Sequence, residues 1–207
     1  VTNTFTVPDE KIEVQVNKVW DDNSNANGKR PASIKYVLNG GKTPVEQVVT
    51  GNTTTNDGWG YKFTNLAKYD DLGNEITYTV SEQEATTDGL KFYTNRVSGE
   101  YKAGITITNT FTVPDNKVEV IATKHWEDDS NANRKRPTSI KYILKGGKEE
   151  KTQTVTGNTA TDANWNYTFA ELPKYNENGQ EYQYSIEEEI TENAHLYTKA
   201  ITSNTTN

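Results

Sequence analysis

A lysine, a glutamate and an asparagine occupy positions where apolar side chains are expected. The chain alternates polar and apolar residues in short runs, as half-buried β-strands do. Lys18 shares one face of such a run with Val16 and Trp20. Glu82 follows Val80 on the apolar face of a later run, and Asn109 follows Ile107 on that of the last run. The pattern therefore predicts that an amine, a carboxyl group and a carboxamide meet in the interior of a β-domain.

Burial makes a reaction between these three groups feasible. A low dielectric lowers the pKa of a lysine and raises the pKa of a glutamate, so both side chains tend to become neutral. The free amine of Lys18 can attack the side-chain carbonyl carbon of Asn109, while Glu82 polarises that carbonyl and passes a proton to the departing ammonia. An effective molarity of roughly 10⁵–10⁸ M in near-attack geometry compensates for the poor electrophile. The product is an isopeptide bond that needs no external enzyme.

An unreactive arrangement fits the same positions. Lys18 and Glu82 can form a buried ion pair with Asn109 hydrogen-bonded nearby, and strand parity alone does not separate the two arrangements. Composition favours the cross-link, because hydrophobic residues make up only 32% of the chain and small domains with weak cores usually need an additional stabilising link. The chain has no cysteine, so that link is not a disulfide.

The chain contains a tandem repeat. The segment at 1–9 recurs at 107–115, and residues 11–82 match residues 117–188 at roughly half of their positions. Self-similarity of this length predicts two copies of one domain of ordinary size.

The second copy repeats two of the three reactive groups. Its lysine is Lys124 and its acid is Glu188. Glu84 has the same strand parity as Glu82, but the residue that matches it in copy two is Ile190. The internal comparison therefore selects Glu82 as the acid of copy one.

The pattern of the whole chain is β. Threonine, valine, isoleucine and tyrosine dominate, and turn signals rich in glycine, asparagine and aspartate separate about seven short strands per copy. This spacing is typical of a β-sandwich, and no helix is predicted. Pro8 and Pro114 mark a short joint without a glycine or serine linker. We therefore expect an all-β chain of two tandem sandwiches that form an elongated rod.

Both copies resemble the Cna B-type domain of Gram-positive surface adhesins and pilins. The residues that carry the resemblance are VNKVWDDNSNANGKRP at 16–31, YTVSE at 78–82 and ITNT at 107–110, with ATKHWEDDSNANRKRP at 122–137 and YSIEE at 184–188 in copy two. The resemblance implies an inverse immunoglobulin-like sandwich. It also implies a self-formed bond between Lys18 and Asn109, assisted by Glu82, in a stalk that holds a ligand-binding head away from the cell wall.

The repeat sets the expected domain boundaries and reveals one departure. We expect residues 1–8 to be the last strand and linker of a preceding repeat, 9–113 to be repeat one and 114–207 to be repeat two. Tyr197 matches Tyr93, so the asparagine of copy two is expected past residue 207, and copy two lacks its final strand.

Two other asparagines of the chain could replace the one expected past residue 207. Asn204 is a weak candidate, because it lies closer to Tyr197 than Asn109 lies to Tyr93. Asn3 stands at the matching position of residues 1–6, which resemble the last strand of a repeat. Copy two is therefore either unbonded or completed from outside, for example by residues 1–6 of a neighbouring molecule through strand addition.

Several other sites are weaker candidates. The stretch at 21–28 resembles a calcium loop but lacks the acid at its twelfth position, so a solvated turn is preferred. The run 187–189 could supply paired carboxylates for sugar hydrolysis, but adjacent strand residues face opposite ways, so an exposed acidic run is preferred. Lys29 and Arg30 are expected to decorate a turn. The four tryptophans have apolar period-two neighbours, so core packing is preferred to a carbohydrate surface: Trp20, Trp59, Trp126 and Trp165.

Composition excludes several classes of function. The 207 residues carry 22 basic and 29 acidic side chains, a net charge of −7, which argues against a nucleic-acid partner. No run of about 18 apolar residues exists, so no membrane partner is expected. Two histidines and no cysteine leave little for a metal or for a catalytic triad. We expect no cofactor and no enzyme beyond a single-turnover, autocatalytic cross-linking.

Two functions from different classes remain open. The first is a spacer, a cross-linked stalk segment of a cell-wall-anchored adhesin on a bacterial surface, flanked by further repeats and with the host matrix ligand bound by a separate head domain. The second is a module that itself grips a host matrix protein or glycan. Duplication favours the spacer.

Overall fold

The computed structural model describes residues 1–85 and 89–202. It divides into two compact units, Val1–Pro114 and Asp115–Asn207. The prediction of an all-β chain with two tandem domains is confirmed, since the described residues contain twelve strands and two single 3₁₀ turns.

Unit 1 is a sandwich of a four-stranded and a three-stranded sheet. Its strands are β1 (Lys11–Asp21), β2 (Ile34–Asn39), β3 (Val45–Val49), β4 (Tyr61–Ala67), β5 (Thr79–Glu84), β6 (Tyr93–Glu100) and β7 (Gly104–Phe111). The larger sheet has the order β4-β1-β7-β6 and the smaller one β3-β2-β5. This order places the first and last strands, β1 and β7, side by side at the centre of the larger sheet. These two strands are parallel, and the other pairs are antiparallel.

The core of unit 1 consists of the inner faces of both sheets. Alternating residues of β1 and β7 pack against β2 and β5, and the largest fully buried side chain is Trp59. Its indole lies flat on Gly51, where an added Cβ would come within 2.4 Å of the ring. Tyr36 donates a buried hydrogen bond of 2.7 Å to the carbonyl of Trp59, so the polar end of this tyrosine is satisfied inside the core.

Unit 2 repeats five of these strands in its described residues. They are β8 (Lys117–Ala122), β9 (Ile140–Lys145), β10 (Lys151–Val155), β11 (Tyr167–Pro173) and β12 (Ser185–Ile190). The sheet β10-β9-β12 corresponds to β3-β2-β5, whereas β8 is paired only with β11. A 3₁₀ turn at Ala194–Leu196 follows β12, and residues 197–202 form no strand. Counterparts of β6 and β7 are therefore absent from the described part of unit 2.

Candidate functional site

Lys18 lies on the inner face of β1 with its side chain 0% exposed. Its Nζ is 4.0 Å from the ring centroid of Trp20 and donates a 3.3 Å hydrogen bond to the carbonyl of Val19. Burial lowers the pKa of Lys18 to about 8, although the nearby Glu82 carboxylate opposes the shift. About a tenth of this amine is therefore neutral, and nucleophilic, at pH 7, far more than for an exposed lysine.

Glu82 reaches the amine from the opposite sheet. It lies on β5 opposite Tyr36, and its side chain is 2% exposed. Its Oε1 is 3.6 Å from Lys18 Nζ, which is an ion-pair distance longer than a hydrogen bond. Glu84, the alternative of equal parity, is exposed and accepts a 2.6 Å hydrogen bond from the backbone N–H of Leu90. The structure thus brings Glu82, and not Glu84, to the lysine.

Asn109 is fully buried on the inner face of β7. The parallel register pairs Lys18 with Ile107 and Trp20 with Asn109, so the lysine and the asparagine lie on one face of adjacent strands, two positions apart. Within the described residues, Asn109 Nδ2 and Glu82 Oε1 are both buried without a hydrogen-bond partner. Unsatisfied buried groups are rare and costly, and in this core they coincide with the atoms that the reaction would use.

Asn95 is a member of this cluster that strand alternation did not single out. It pairs with Asn109 across β6 and β7, and its Nδ2 donates to Asn109 Oδ1 at 2.9 Å and to Glu82 Oε2 at 2.8 Å. A signal was available, because Asn95 has the same parity as Tyr93, whose ring packs edge-on against Trp20 at 4.9 Å. Asn95 thus links the acid to the carboxamide.

Arg30 belongs to a second buried cluster, so the expectation that it decorates a turn is wrong. Its guanidinium is 2% exposed and binds Asp22 through two hydrogen bonds of 2.6 Å, and Tyr93 donates to the same carboxylate at 2.9 Å. Although desolvation acts in the opposite direction, the hydrogen bonds from Arg30, the backbone of Asn25 and Tyr93 hold the pKa of Asp22 below its usual value. This arrangement fixes the 21–28 loop to the end of β1.

Unit 2 keeps the lysine–acid pair in a more open setting. Lys124 Nζ is 3.2 Å from Glu188 Oε1, and the two side chains are 15% and 8% exposed. Lys199 lies where unit 1 has Asn95 and donates a 2.7 Å hydrogen bond to the backbone carbonyl of Glu188. Asn166 Oδ1 accepts a 2.8 Å hydrogen bond from the backbone N–H of Lys124, but among the residues that the structure describes no carboxamide hydrogen-bonds to its Nζ. The weak candidate Asn204 lies outside the described residues.

Asn3 lies in the exposed segment that precedes β1. Residues 1–6 are all exposed and form no strand in unit 1, with Val1 and Phe5 among the exposed hydrophobic residues of the chain. The structure therefore brings Lys18, Glu82 and Asn109 together, brings Lys124 and Glu188 together, and leaves Asn3 apart from both groups.

The structure also decides among the weaker candidates. The four tryptophans are at most 6% exposed, which confirms core packing. Of the acidic run, Glu187 and Glu189 point outward to ion pairs with Lys145 and Lys141. Across residues 1–85 and 89–202 no group of three histidine, cysteine, aspartate or glutamate side chains could hold a metal ion. No helix in the described ranges is long and apolar enough to span a bilayer.

Comparison with known families identifies the repeat. The model of the Cna protein B-type domain matches residues 14–110 and again residues 120–207. The chain belongs to the Cna B-type domain family. The two matches coincide with the two sandwich units, and Cna B-type domains are structural repeats of adhesins, not enzymes.

Individual relatives of the Cna B-type repeats are also surface proteins. The chain is 38% identical over 194 residues to a collagen adhesin of Staphylococcus aureus, and the match covers 91% of this chain but 14% of the adhesin. A crystal structure of a single B repeat unit of the S. aureus collagen-binding surface protein is 33% identical and covers 89% of this chain and 88% of that structure, with a TM-score of 0.40. The pilus adhesin SpaC of Lactobacillus rhamnosus GG, in its open conformation, is 17% identical over 80% of this chain and 21% of its own, with a TM-score of 0.37.

Proposed function

We propose that this chain is a stalk segment of a cell-wall-anchored bacterial surface adhesin, and that an isopeptide bond between Lys18 and Asn109 cross-links its first unit. Family membership and the collagen adhesin relative support the adhesin context, with further repeats beside this chain and the host ligand bound by a separate head domain. The observation that carries the cross-link is the buried cluster of the Lys18, Glu82 and Asn109 side chains in unit 1, with Asn95 hydrogen-bonded to the acid and the carboxamide.

The reaction begins with a proton transfer within the ion pair. Lys18 gives a proton to Glu82 across 3.6 Å, which leaves a neutral amine beside a carboxylic acid. The amine nitrogen attacks Cγ of Asn109, and negative charge develops on Asn109 Oδ1. Asn95 Nδ2 already donates to that oxygen at 2.9 Å, so it is placed to stabilise the charge.

Collapse of the intermediate requires a protonated leaving group. Glu82 delivers its proton to the amide nitrogen of Asn109, and the C–N bond breaks as ammonia departs. The attacking nitrogen also loses a proton as the new amide forms, and Glu82 accepts it. The balance is one amine plus one carboxamide giving one secondary amide plus ammonia, with Glu82 left as the carboxylic acid; passing that proton on to the ammonia, which leaves as ammonium, restores the carboxylate.

The bond would join the two strands that carry load. β1 and β7 are parallel neighbours in the larger sheet, and the cross-link would close a loop of about 90 residues. The loop-closure estimate used for disulfides gives such a link roughly 4–5 kcal/mol of stability. Since an amide is not reduced under physiological conditions, the larger benefit is resistance to unfolding under force and to proteolysis.

Intact-protein mass spectrometry tests the proposal. The monomer should be lighter than its sequence mass by one ammonia, and this loss should disappear in Lys18→Ala, Asn109→Ala and Glu82→Gln. Two variants serve as matched controls that retain the loss: Glu84→Gln beside the acid, and Lys124→Ala, which removes the corresponding lysine of unit 2. A full sequence mass in the folded wild-type chain would refute the cross-link.

The Asn95→Ala variant tests the role of Asn95 in the reaction separately from its role in folding. Removing the donor to Asn109 Oδ1 should slow ammonia loss by about 10²–10³-fold, the usual cost of one oxyanion donor. Time-resolved mass spectrometry after refolding measures this rate. Asn95→Gln, which retains a carboxamide, should recover part of it. An unchanged rate in Asn95→Ala would assign oxyanion stabilisation to another group.

A further inference from the structure

Asn95 lies on a strand that is held to the sandwich along one side. β6 is an edge strand of the larger sheet, and among the described residues it pairs only with β7. Residues 94–100 are all exposed, whereas Tyr93 at the start of the strand is half-buried. A strand end with few buried contacts and solvent-exposed backbone hydrogen bonds opens more readily than a core strand. The position of the Asn95 carboxamide therefore depends on what holds this end of β6.

The hairpin turn holds the opposite end of β6. The turn after Glu100 joins β6 to β7 and sets their register, since turn geometry fixes the pairing of a hairpin. Asn95 lies five residues before Glu100. With a rise of about 3.2–3.4 Å per residue, about 16–17 Å of exposed strand separates the turn from the Asn95–Asn109 pair. The turn therefore sets which residues pair but does not hold the start of β6 in place.

Phe92 and Tyr93 anchor the start of β6 in different ways. The ring of Phe92 stacks with that of Phe111 on β7, so this contact moves with the hairpin. The hydroxyl of Tyr93 instead donates a 2.9 Å hydrogen bond to Asp22 in the loop after β1, and its ring packs edge-on against Trp20 at 4.9 Å. Tyr93 thus ties the edge strand to the end of β1.

The acceptor of this hydrogen bond is itself fixed. The side chain of Asp22 is 1% exposed, and its oxygens also accept two 2.6 Å hydrogen bonds from Arg30 and one of 2.9 Å from the backbone N–H of Asn25. A hydrogen bond to an ionised acceptor is roughly twice as strong as one between neutral groups. Tyr93 is therefore anchored to a rigid, charged partner.

Unit 2 shows that this anchor forms without strand pairing. Tyr197 packs edge-on against Trp126 at 5.2 Å, and its hydroxyl donates to Asp128 at 3.4 Å, although residues 197–202 form no strand. The contact of the tyrosine with the tryptophan and the aspartate is thus not a consequence of β6–β7 pairing. In unit 1 the same contact is able to hold the strand in place.

We propose that Tyr93 is a positioning residue for the cross-linking of unit 1, and that it acts through Asn95 by holding the start of β6 against the loop after β1. Side chains two residues apart share one face of a strand, so the anchored tyrosine directs the Asn95 carboxamide toward the core at the edge of the sheet. There Asn95 Nδ2 donates to Asn109 Oδ1 at 2.9 Å and to Glu82 Oε2 at 2.8 Å. This role rests on the proposed cross-link, because it concerns the rate of the same reaction.

The Tyr93→Phe variant removes the hydroxyl and keeps the ring. Ammonia loss after refolding, followed by time-resolved mass spectrometry, should slow by about tenfold, in keeping with the loss of one hydrogen bond to a charged group. Tyr78→Phe is the matched control in the same unit, because the Tyr78 hydroxyl donates to the carbonyl of Ala67 at 2.8 Å and to no member of the reactive cluster. It should leave the rate unchanged.

A double variant shows whether Tyr93 acts through Asn95. If it does, Tyr93→Phe combined with Asn95→Ala should react no more slowly than Asn95→Ala alone, since the carboxamide that the tyrosine positions is already gone. A general loss of packing would instead slow the double variant by the product of the two single effects. Rates that multiply in this way would overturn the positioning role.

Hydrogen exchange measures the anchor without the reaction. In the Lys18→Met background, which has no amine to react, Tyr93→Phe should speed exchange of the amides of residues 94–96 and leave those of residues 98–100, near the turn, unchanged. Unchanged exchange at residues 94–96, or an unchanged rate of ammonia loss in Tyr93→Phe, would overturn this role of Tyr93 alone. A wild-type chain of full sequence mass would refute the proposed cross-link, and the role of Tyr93 in the reaction with it.

Discussion

The two units have closely similar sequences around the lysine and differ in how far the first strand extends. β1 runs for 11 residues and ends at Asp21, whereas β8 runs for 6 residues and ends at Ala122. The residues that β8 omits include Lys124 and Trp126, which match Lys18 and Trp20 of β1. Because local sequence is nearly the same, the difference lies in pairing: β7 covers this half of β1, and the described part of unit 2 has no such strand.

The same absence changes the environment of the amine. The Lys18 side chain is 0% exposed, against 15% for Lys124, while both keep an acid within 3.6 Å. The lysine and the acid are thus brought together by the strands that both units share, and the last strand adds the carboxamide and removes the remaining solvent. The proposed cross-link therefore requires the last strand as well as the lysine–acid pair.

The largest difference between the units should appear under force. In the wild-type chain the Lys18–Asn109 bond should prevent extension of unit 1, so that pulling at the termini of a monomer unfolds unit 2 only. Asn109→Ala should add a second unfolding event that releases about 300 Å of chain, the length of about 90 extended residues. Single-molecule force spectroscopy measures both events. Two events in the wild type, or one in the variant, would contradict the cross-link.

Breaking the buried Asp–Arg pair should also destabilise unit 1 more than unit 2, and this difference should be smaller than the one under force. Asp22→Asn leaves the guanidinium of Arg30 buried without its anion, and breaking such a pair typically costs about 3–5 kcal/mol. Asp128→Asn should cost less, because Asp128 is 11% exposed against 1% for Asp22. Native-state hydrogen exchange of β1 and β8 amides measures the loss of stability in each unit separately.

A double variant controls for the loss of packing at this pair. Asp22→Leu combined with Arg30→Met removes both charges and should destabilise unit 1 less than Asp22→Asn does. Equal losses in Asp22→Asn and Asp128→Asn would show that exposure does not set the strength of the pair.

Alternation in the sequence predicts the inner faces well and the partners of charged residues poorly. Lys18, Glu82 and Asn109 fall on inner faces because the strand period is strict where one face is buried. The sequence predicts Arg30 in an exposed turn, since a basic residue beside a proline is usually exposed, and only the folded loop brings Asp22 to it. Asn95 is hard to predict because β6 is an edge strand with an almost wholly exposed pattern, in which its shared parity with Tyr93 carries little weight.

The end of β8 is a further limit of local reasoning. Residues 123–127 keep the alternation of a strand but form none, whereas the matching residues 17–21 of unit 1 belong to β1. Whether they form a strand depends on a partner that comes from elsewhere in the sequence, so no local pattern decides it. The internal repeat, rather than the pattern of the segment itself, predicts where that partner belongs.

A pH dependence should distinguish the free amine of Lys18 from the bonded one. In Asn109→Ala the amine remains free, and burial holds its pKa at about 8 in the folded unit against an ordinary value of 10.5. Between these values the unfolded chain binds the proton more tightly, so the free energy of unfolding should increase as the pH rises, by about 2–3 kcal/mol in total. Urea unfolding from pH 7.5 to 10.5, a range set by the two pKa values, measures it.

Lys18→Met is the control for all other groups that titrate in this range. It has no amine and no cross-link, so its stability should lack the increase attributed to Lys18. Parallel pH profiles of Lys18→Met and Asn109→Ala would contradict the assignment of a lowered pKa to this lysine.

The smallest expected effect concerns a residue at which the two units differ next to the lysine. His125 Nδ1 lies 2.5 Å from Asp162 Oδ2 at the surface of unit 2, and its side chain is 73% exposed, whereas unit 1 has Val19 and Asn56 at these positions. Exposed pairs contribute about 0–1 kcal/mol, so His125→Val should change the stability of unit 2 by less than about 1 kcal/mol. Asp162→Asn should recover the unit 1 arrangement, since Asn56 Oδ1 accepts the 2.9 Å hydrogen bond from the Trp20 N–H. Denaturant unfolding at low and high salt measures both changes. A loss of several kcal/mol in His125→Val would mean that this surface contact, and not the lack of a β7 counterpart among the described residues, accounts for the difference between the units.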